Sequence, residues 1–323
     1  MRCALLFLSV AMVFASCGDT PSGPSSGPSS SNARPRVAVI PKGTTHVFWK
    51  SVEAGARATG DELGIEVVWK GPLQENDRAQ QIQLVQQFVS DEIDGLALAP
   101  LDHAALGPVV ALARSKNIPV VIFDSNLDGQ PGVDFASFIA TDNRAAGQLA
   151  GEHLAKLMGG KGQAVMLRYV VGSASTDARE SGCAASLAAA GITLSVDNRY
   201  AGPTAGEAKT TALNMIDALR EAGGLFCSNE SATNGMLLAL EQMGLSGKLR
   251  FVGFDASPPL VNALREGRLD ALVVQDPRKM GELSVRALAR RLANETVEPQ
   301  IDTGAVLVTR ENMDQPEIAA LLR

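Results

Sequence analysis

The sequence has few of the residues that would indicate a disulfide-rich, metal-binding or nucleic-acid-binding protein. Four of its 323 residues are cysteines, at positions 3, 17, 183 and 227, and none stands in a CxxC or Cys/His spacing. The usual zinc frameworks and a disulfide-dense scaffold are therefore excluded. Lys and Arg number 29 against 35 Asp and Glu, and this acidity argues against a nucleic-acid partner, whose phosphates require a basic face.

Aromatic residues are also scarce, and long hydrophobic runs are absent from most of the chain. Only 4% of the residues are aromatic, so a pair of adjacent aromatics in a loop is notable. After residue 16 no stretch approaches the ~18 consecutive apolar residues of a membrane-spanning helix. The hydrophobic share of 46% is ordinary for a globular protein, and the length indicates about two domains.

The N-terminus carries an export signal followed by a tether. Residues 1–16 have a positive start and a short apolar core, which is typical of a signal peptide. The run ends in Phe14-Ala15-Ser16-Cys17-Gly18, which resembles a bacterial lipobox with Phe14 in place of the usual Leu, so Cys17 is the predicted lipidation site. Simple cleavage after Ser16 is the alternative. Residues 17–35 are rich in Pro, Ser and Gly and predict a flexible, lipid-anchored linker.

The remaining chain alternates between short apolar runs and helical patterns. Because such runs, separated by helices of ten or more residues, indicate parallel strands buried on both faces, the body is predicted to be an α/β protein. The units are too many for one sheet of ordinary size and fall into two sets, four strands up to residue 123 and five after residue 143. The predicted strands are 37–40, 65–69, 95–99, 119–123, 164–167, 192–196, 225–227, 249–253 and 269–274.

Ligands of open parallel sheets bind beyond the carboxyl ends of the strands, so the residues that follow each apolar run are the candidates for a site. Lys42, His46 and the aromatic pair Phe48-Trp49 follow the first run, and Asp124-Ser125 follow the fourth. Aromatic faces pack on the C–H faces of sugar rings, although both aromatics could instead belong to the core. A carboxylate at such a place accepts hydrogen bonds from vicinal hydroxyls or caps the next helix.

The second set of strands repeats this pattern of planar polar residues. Arg179 lies near the start of a helix, Asn229 and Asp255 follow two of the runs, and Gln275 follows the last. Helix capping explains any one such residue, but their recurrence at equivalent places in both sets indicates a shared ligand site.

In order and spacing, these strings resemble the periplasmic substrate-binding proteins of sugar ABC transporters, of the ribose-binding type. The resemblance covers about residues 36–310. It depends on Phe48-Trp49 with Gly55-Ala56, Gly95-Leu96 with Pro100, Ile118-Pro119-Val120-Val121 with Asp124, Thr141-Asp142-Asn143, Ala178-Arg179-Glu180-Ser181-Gly182, Ser228-Asn229, Val252-Gly253-Phe254-Asp255 and Val274-Gln275-Asp276-Pro277.

The resemblance implies two doubly wound parallel-sheet lobes, joined by three crossovers near residues 140–141, 275–276 and 305. The N-terminal lobe would comprise residues 36–140 and 276–304, and the C-terminal lobe residues 141–275 and 305–323. A small sugar or polyol would bind between them. The resemblance implies that Phe48 and Trp49 stack on the ligand and that Phe254 lines the face of the second lobe. Asp124 and Asp255 would accept hydrogen bonds, Arg179 would donate them, and Asn229 and Gln275 would do both. Lys42, His46 and Ser125 stand where family members contact their ligands.

Three positions depart from the family pattern and leave the ligand open. Ser125 replaces an Arg, Lys42 replaces a small polar residue, and His46 stands where an Asn is usual. Lys42, Asp124 and Asp177 also resemble the receptor for the autoinducer-2 signal, so that ligand is an alternative. Asp255 and Gln275, which that receptor lacks, favour a sugar or polyol, and Lys42 leaves an anionic ligand open.

The expected protein is a monomeric, lipid-anchored solute receptor of the periplasm or cell envelope that serves an ABC permease. A binding protein that serves a sugar-sensing chemoreceptor is an alternative, and it would differ from a transport receptor only in its partner protein. The chain has no catalytic motif such as GxSxG, HExxH or a phosphate-binding loop, so no enzyme, cofactor or metal is expected and a hydrolase is a remote alternative. Cys183 and Cys227 are expected to be buried small hydrophobes, with a disulfide between them left open.

Overall fold

The computed structural model describes residues 34–322. The predicted signal peptide, Cys17 and nearly all of the predicted linker lie outside these residues. Within residues 34–322, no helix combines the length and the apolar character that crossing a bilayer requires.

Six strands form the first sheet. Helices cover both of its faces, so its central strands are fully buried. Its spatial order is β11-β5-β4-β3-β1-β2, and every neighbouring pair is parallel. The strands are β1 (Arg36–Ile40), β2 (Glu66–Trp69), β3 (Gly95–Leu98), β4 (Val120–Phe123), β5 (Ser137–Ala140) and β11 (Gln300–Asp302).

The second sheet has the same topology, in the order β12-β10-β9-β8-β6-β7. Its pairs are parallel except at one edge, where the last strand runs antiparallel to its neighbour. The strands are β6 (Gln163–Arg168), β7 (Thr193–Tyr200), β8 (Gly224–Cys227), β9 (Arg250–Phe254), β10 (Ala271–Gln275) and β12 (Ala305–Thr309).

Helices connect the strands of both lobes and cover the faces of the sheets. They are α1 (Val47–Leu63), α2 (Arg78–Ser90), α3 (Gly107–Ser115), α4 (Asn143–Leu157), α5 (Ala174–Ala189), α6 (Ala205–Leu213), α7 (Ile216–Glu221), α8 (Glu230–Gln242), α9 (Pro258–Arg265), α10 (Pro277–Leu292) and α11 (Pro316–Leu321). The two α/β lobes confirm the predicted fold class.

The strand prediction was incomplete at the junctions between the lobes. The first set of strands does not end at residue 123, because β5 and β11 extend the first sheet, and β12 extends the second. These strands are three to five residues long, and β11 pairs with a strand about 160 residues away, so local pattern carries little signal for them. The helical pattern over 205–221 is also two helices, α6 and α7, rather than one.

The chain passes between the two sheets three times, as the fold class predicted. It crosses from β5 to α4, from β10 to α10, and from β11 to β12. Two of these crossings are hydrogen-bonded to each other, since Thr141 Oγ1 donates to Gly304 O (3.1 Å) and the amide of Asp142 donates to Asp302 Oδ1 (3.0 Å). These two crossovers therefore form one joint rather than two separate tethers.

Both lobes contain a close helix pair in which glycines remove the space between the backbones. In the first lobe Gly55 of α1 faces Arg278 of α10, and Gly281 of α10 faces Val52. In the second lobe Gly182 of α5 faces Arg144 of α4, and Gly147 of α4 faces Arg179. The glycines of α1 and α5 both stand eight residues after the helix start (55 − 47 and 182 − 174). A β-carbon at any of these four positions would collide with a backbone carbonyl.

Replacing Gly281 with Ala is expected to destabilise the protein by about 2 kcal/mol or more, because the new methyl group would force α1 and α10 apart. Thermal or urea unfolding measures the change. Gly206→Ala is the matched control, since that glycine lies exposed in α6 with only Thr204 Oγ1 nearby, at 3.9 Å. The control is expected to be neutral or to stabilise by up to ~1 kcal/mol through helix propensity. Equal effects of the two substitutions would contradict the close-contact role of Gly281.

Candidate functional site

Two aspartates stand at equivalent strand ends in the two lobes. Asp124 follows β4 and Asp255 follows β9, and both are buried. Each has a left-handed backbone, with φ of 60° and 69°, and each amide donates to the adjacent strand, to Ile139 O (3.0 Å) and Val273 O (2.8 Å). This conformation costs a non-glycine residue about 1 kcal/mol or more and is typical of functional sites. Each lobe therefore holds one buried aspartate whose backbone is strained.

The cleft between the lobes contains a small polar cavity. The cavity volume is about 30 Å³, well below the ~300–1,000 Å³ typical of small-molecule sites, so a sugar could enter only with movement of the lobes or of the lining side chains. The lining side chains come from the carboxyl ends of strands in both sheets. They are Lys42, His46, Phe48, Trp49, Glu75, Asp124, Tyr169, Ser175, Thr176, Arg179, Asn229, Glu230, Asp255 and Gln275.

Nine of the eleven predicted ligand residues line this cavity, and Ser125 and Phe254 do not. Phe254 lies directly beneath a lining residue, since the Arg179 guanidinium carbon is 4.0 Å from the centre of its ring. Ser125 is fully buried, and its Oγ accepts a hydrogen bond from the amide of Ser175 (3.2 Å) in the other lobe. Both residues therefore support lining residues and do not themselves face the cavity.

Arg179 is fixed by three neighbours as well as by the ring beneath it. Its Nε donates to Asn143 Oδ1 (2.8 Å), and its two terminal nitrogens donate to Ser228 O (3.1 Å) and to Gln275 Oε1 (2.8 Å). These bonds use three of the five N–H donors of a guanidinium. Two donors remain on a side chain that cannot rotate away, which preorganises it for a ligand acceptor.

Gln275 and the start of α8 fix Asp255. Gln275 Nε2 donates to Asp255 Oδ1 (2.6 Å), and the amide of Glu230 donates to Asp255 Oδ2 (3.0 Å). Burial raises the pKa of Asp255, while the nearby Arg179 charge and the Gln275 hydrogen bond oppose that rise. Each carboxylate oxygen retains a second lone pair, so Asp255 can still accept from a ligand hydroxyl.

The aromatic pair is both part of the core and part of the cavity wall. Phe48 and Trp49 pack edge to face with ring centres 4.9 Å apart, and Trp49 packs the same way against Phe123 at 6.2 Å. Trp49 is 3% exposed and Phe48 is half-buried. The rings that complete the core therefore also line the cavity, and their stacking on a ligand stays a prediction.

A buried carboxylate, Glu75, anchors the aromatic pair and contacts both lobes. Its Oε1 accepts from Trp49 Nε1 (2.7 Å) and pairs with His46 Nδ1 (2.7 Å), and its Oε2 accepts from the Tyr169 hydroxyl (3.0 Å). Tyr169 belongs to the second lobe, so the last of these bonds crosses the cleft. Burial raises the pKa of Tyr169 well above its ordinary value, and the neighbouring Glu75 adds to that rise.

The His46–Glu75 pair is ionised over a wide pH range. Burial lowers the pKa of His46, but the hydrogen bond and charge of Glu75, with the charges of Glu230 and Asp255, outweigh burial and raise it from 6.5 to about 9. Burial raises the pKa of Glu75, but His46, Lys42 and the Trp49 indole outweigh burial and lower it from 4.5 to about 2. The cavity wall therefore carries a fixed ion pair at neutral pH.

Sequence analysis missed five lining residues, Glu75, Tyr169, Ser175, Thr176 and Glu230, as ligand candidates. Two of them stand where ligand residues are expected, after the carboxyl end of a strand. Tyr169 follows β6 directly, and Glu75 lies in the loop after β2. Ser175, Thr176 and Glu230 lie in the first turns of α5 and α8, where capping explains the same residue types.

The thiols and potential metal ligands of the described chain form no further site. Cys183 and Cys227 are free and buried in the core of the second lobe, which confirms their expected role as small hydrophobes. Within residues 34–322, no group of three or more His, Cys, Asp or Glu side chains could hold a metal ion.

A family model described as a periplasmic binding protein domain matches residues 37–296. The chain belongs to the periplasmic binding protein family. Its similarity to ribose-type members confirms the resemblance found in the sequence. A D-ribose/D-allose-binding protein of Pseudomonas aeruginosa is 28% identical over 288 residues, which cover 85% of this chain and 89% of that relative.

Solved structures of solute-binding proteins have the same fold. One from Agrobacterium vitis with bound D-fucose is 35% identical, with a TM-score of 0.85, and the match covers 89% of this chain and all of that one. Another from Agrobacterium radiobacter in complex with D-arabinose is 32% identical, with a TM-score of 0.86, and the match covers 91% of this chain and all of that one. These relatives are binding proteins of transport systems, which confirms that this periplasmic binding protein is not an enzyme.

Replacing His46 with Asn is expected to destabilise this periplasmic binding protein by about 2–4 kcal/mol near pH 5–6, because Glu75 would lose its buried cation. The raised pKa of His46 gives stability that is complete below 6.5 and is lost as pH rises through about 9. The lowered pKa of Glu75 gives stability that is complete above 4.5 and is lost as pH falls towards about 2. The stability difference should therefore be largest between pH 4.5 and 6.5.

Thermal unfolding of both proteins from pH 4 to 10 measures this difference. His103→Asn is the matched control, because His103 Nδ1 also lies 2.7 Å from a carboxylate, that of Asp128, but its side chain is 41% exposed. An exposed pair contributes at most about 1 kcal/mol, so the control should show a small effect throughout. A stability difference for His46→Asn that stays constant from pH 6 to 10 would contradict the proposed ion pair.

Proposed function

We propose that the protein captures one small sugar or polyol in the cavity between its lobes and delivers it to an ABC permease. The observation that carries the proposal is that Asp124, Asp255 and Arg179 line one cavity whose wall also includes Phe48 and Trp49. The sugars bound by similar proteins, D-fucose and D-arabinose, support the same ligand class.

The chemistry of the cavity suits a polyhydroxylated molecule. Closure removes the ligand and the wall from water together, so every hydroxyl must find a partner or lose affinity. We assign Asp124 and Asp255 as hydroxyl acceptors, Arg179 as a donor, and Asn229 and Gln275 as groups that can do both. The exposed edge of the Phe48–Trp49 pair would pack on the C–H groups of the ring.

Location, lobe boundaries and partner belong to the same proposal. We propose a monomer outside the cytoplasm, anchored to the membrane of the cell envelope through Cys17, with a leash over residues 17–35. The proposed lobes are residues 36–140 with 276–304, and 141–275 with 305–323. The place of β11 in the first sheet and of β12 in the second supports these boundaries. The permease would recognise the closed form, which the ligand stabilises through its higher affinity for that form.

A thermal-shift screen over monosaccharides, polyols, sugar acids and the autoinducer-2 signal tests the ligand class. We expect stabilisation by at least one neutral sugar or polyol, since a ligand present at 100 times its Kd stabilises the folded state by about 2.7 kcal/mol. Asp177, which pairs with Arg168 (3.2 Å), does not line the cavity, so it gives the autoinducer-2 alternative no support. Stabilisation by autoinducer-2 and by no sugar would overturn the proposal.

Asp255→Asn and Asp124→Asn are each expected to weaken sugar binding at least ~30-fold, about 2 kcal/mol, because a charge-assisted acceptor becomes a neutral amide. Asn is chosen because it tolerates the left-handed backbone of these positions. Titration calorimetry gives the affinity, and circular dichroism verifies the fold.

The matched control is Asp270→Asn, which changes a carboxylate that pairs with Arg250 (3.1 Å), accepts from the amide of Phe251 (2.8 Å) and does not line the cavity, and this change should leave the affinity unchanged. Unchanged affinity in a folded Asp124 or Asp255 variant would contradict the assigned acceptor roles.

A further inference from the structure

We propose that Lys42 is a positioning residue that ties Asp124 to the second lobe in the closed form, and that it does not itself bind the ligand. The inference builds on the proposed function, because it concerns the cavity proposed to hold the sugar. It has a consequence for specificity, since a ligand carboxylate would find no free donor on Lys42.

All three N–H donors of the Lys42 ammonium have partners within the protein. Nζ lies 3.1 Å from Asp124 Oδ2, 2.9 Å from Ser175 Oγ and 3.3 Å from Ser173 Oγ. An ammonium has three donors and no acceptor, so these partners complete its hydrogen bonding. With Lys42 only 2% exposed, no solvent-facing donor remains.

These contacts cross the cleft, because Lys42 and Asp124 follow strands of the first sheet whereas Ser173 and Ser175 lie at the start of α5. A second link joins the same places, since the amide of Ser175 donates to Ser125 Oγ (3.2 Å). Ser175 thus accepts from Lys42 through its hydroxyl and donates to Ser125 through its backbone. Two residues that the sequence marked as ligand candidates, Lys42 and Ser125, converge instead on one residue of the opposite lobe.

The charges around the cavity also disfavour an anionic ligand. Four carboxylates line it, those of Glu75, Asp124, Glu230 and Asp255, against three cations, those of Lys42, His46 and Arg179. His46 is paired with Glu75 and Lys42 with Asp124. A ligand carboxylate would therefore have Arg179 as its single cation without an ion-pair partner among the lining residues, and it would approach four carboxylates, three of them buried, at close range.

The same geometry implies an effect on kinetics. The bonds from Lys42 to Ser173 and Ser175 require the two lobes to be together, so they hold the closed form around a ligand already bound. Removing them should chiefly raise the dissociation rate, as changes to a formed interface generally do. Removing a direct ligand contact would instead change the preference between ligands that carry and lack the matching group.

The test compares neutral sugars with acids of the same ring configuration. D-galactose and D-fucose are compared with D-galacturonate, and D-glucose is compared with D-glucuronate. D-ribose and D-arabinose serve as further neutral probes. Affinity and dissociation rate are measured for the wild type, Lys42→Met and Ser173→Ala. Ser173→Ala is the more informative of the two variants, because Ser173 accepts a hydrogen bond from Lys42 but does not line the cavity. It also keeps the test usable if Lys42→Met does not fold.

We expect the wild type to bind a neutral sugar at least ~10-fold more tightly than its acid, since an unmatched buried charge costs more than 1.4 kcal/mol. Lys42→Met should raise the dissociation rate of the neutral sugar about 10-fold or more, and Ser173→Ala about 3-fold, in keeping with the loss of one hydrogen bond. Neither variant should bind the acid better.

Two results overturn the inference while leaving the proposed function intact. One is a wild type that prefers an acid, with that preference lost in Lys42→Met. The other is a dissociation rate for neutral sugars that neither variant changes. If no sugar, polyol or sugar acid of the thermal-shift screen binds the wild type, the proposed function itself is contradicted, and the inference falls with it.

Discussion

The site depends on one constraint, that a charge buried away from water needs a partner of opposite charge or several hydrogen bonds. Five charged side chains that line the cavity are buried, namely Lys42, Glu75, Asp124, Arg179 and Asp255. Their partners come from both lobes, as in the Tyr169–Glu75 bond and the contacts of Lys42 with α5. Part of this hydrogen bonding is therefore available only when the two lobes are together.

The two lobes are nearly symmetric, so each contributes an equivalent half to one shared site. Both sheets have the same strand order, both place a left-handed aspartate after an equivalent strand, and both use glycines to bring equivalent helices together. Each lobe offers half of a polar wall. Three crossovers, two of them hydrogen-bonded to each other, join these halves.

Much of this architecture could be predicted from the sequence, and the exceptions have physical reasons. Buried parallel strands give continuous apolar runs, so most strands and the residues after them were found, including Asp124 and Asp255. Strands β5 and β11 were missed because their pairing is non-local. The supporting role of Ser125 and the converging bonds of Lys42 depend on contacts between lobes, which no local pattern encodes. Glu75 was missed because it lies in a loop and its role depends on contacts with His46, Trp49 and Tyr169.

The most direct test of the account is small-angle X-ray scattering, with and without a saturating sugar whose binding calorimetry has verified. The central claim is that both lobes are needed to enclose one solute. It predicts that the bound sugar shifts the population towards the closed form and lowers the radius of gyration. Scattering that stays unchanged in a sample saturated with sugar, and that fits an open arrangement of the lobes, would contradict the claim.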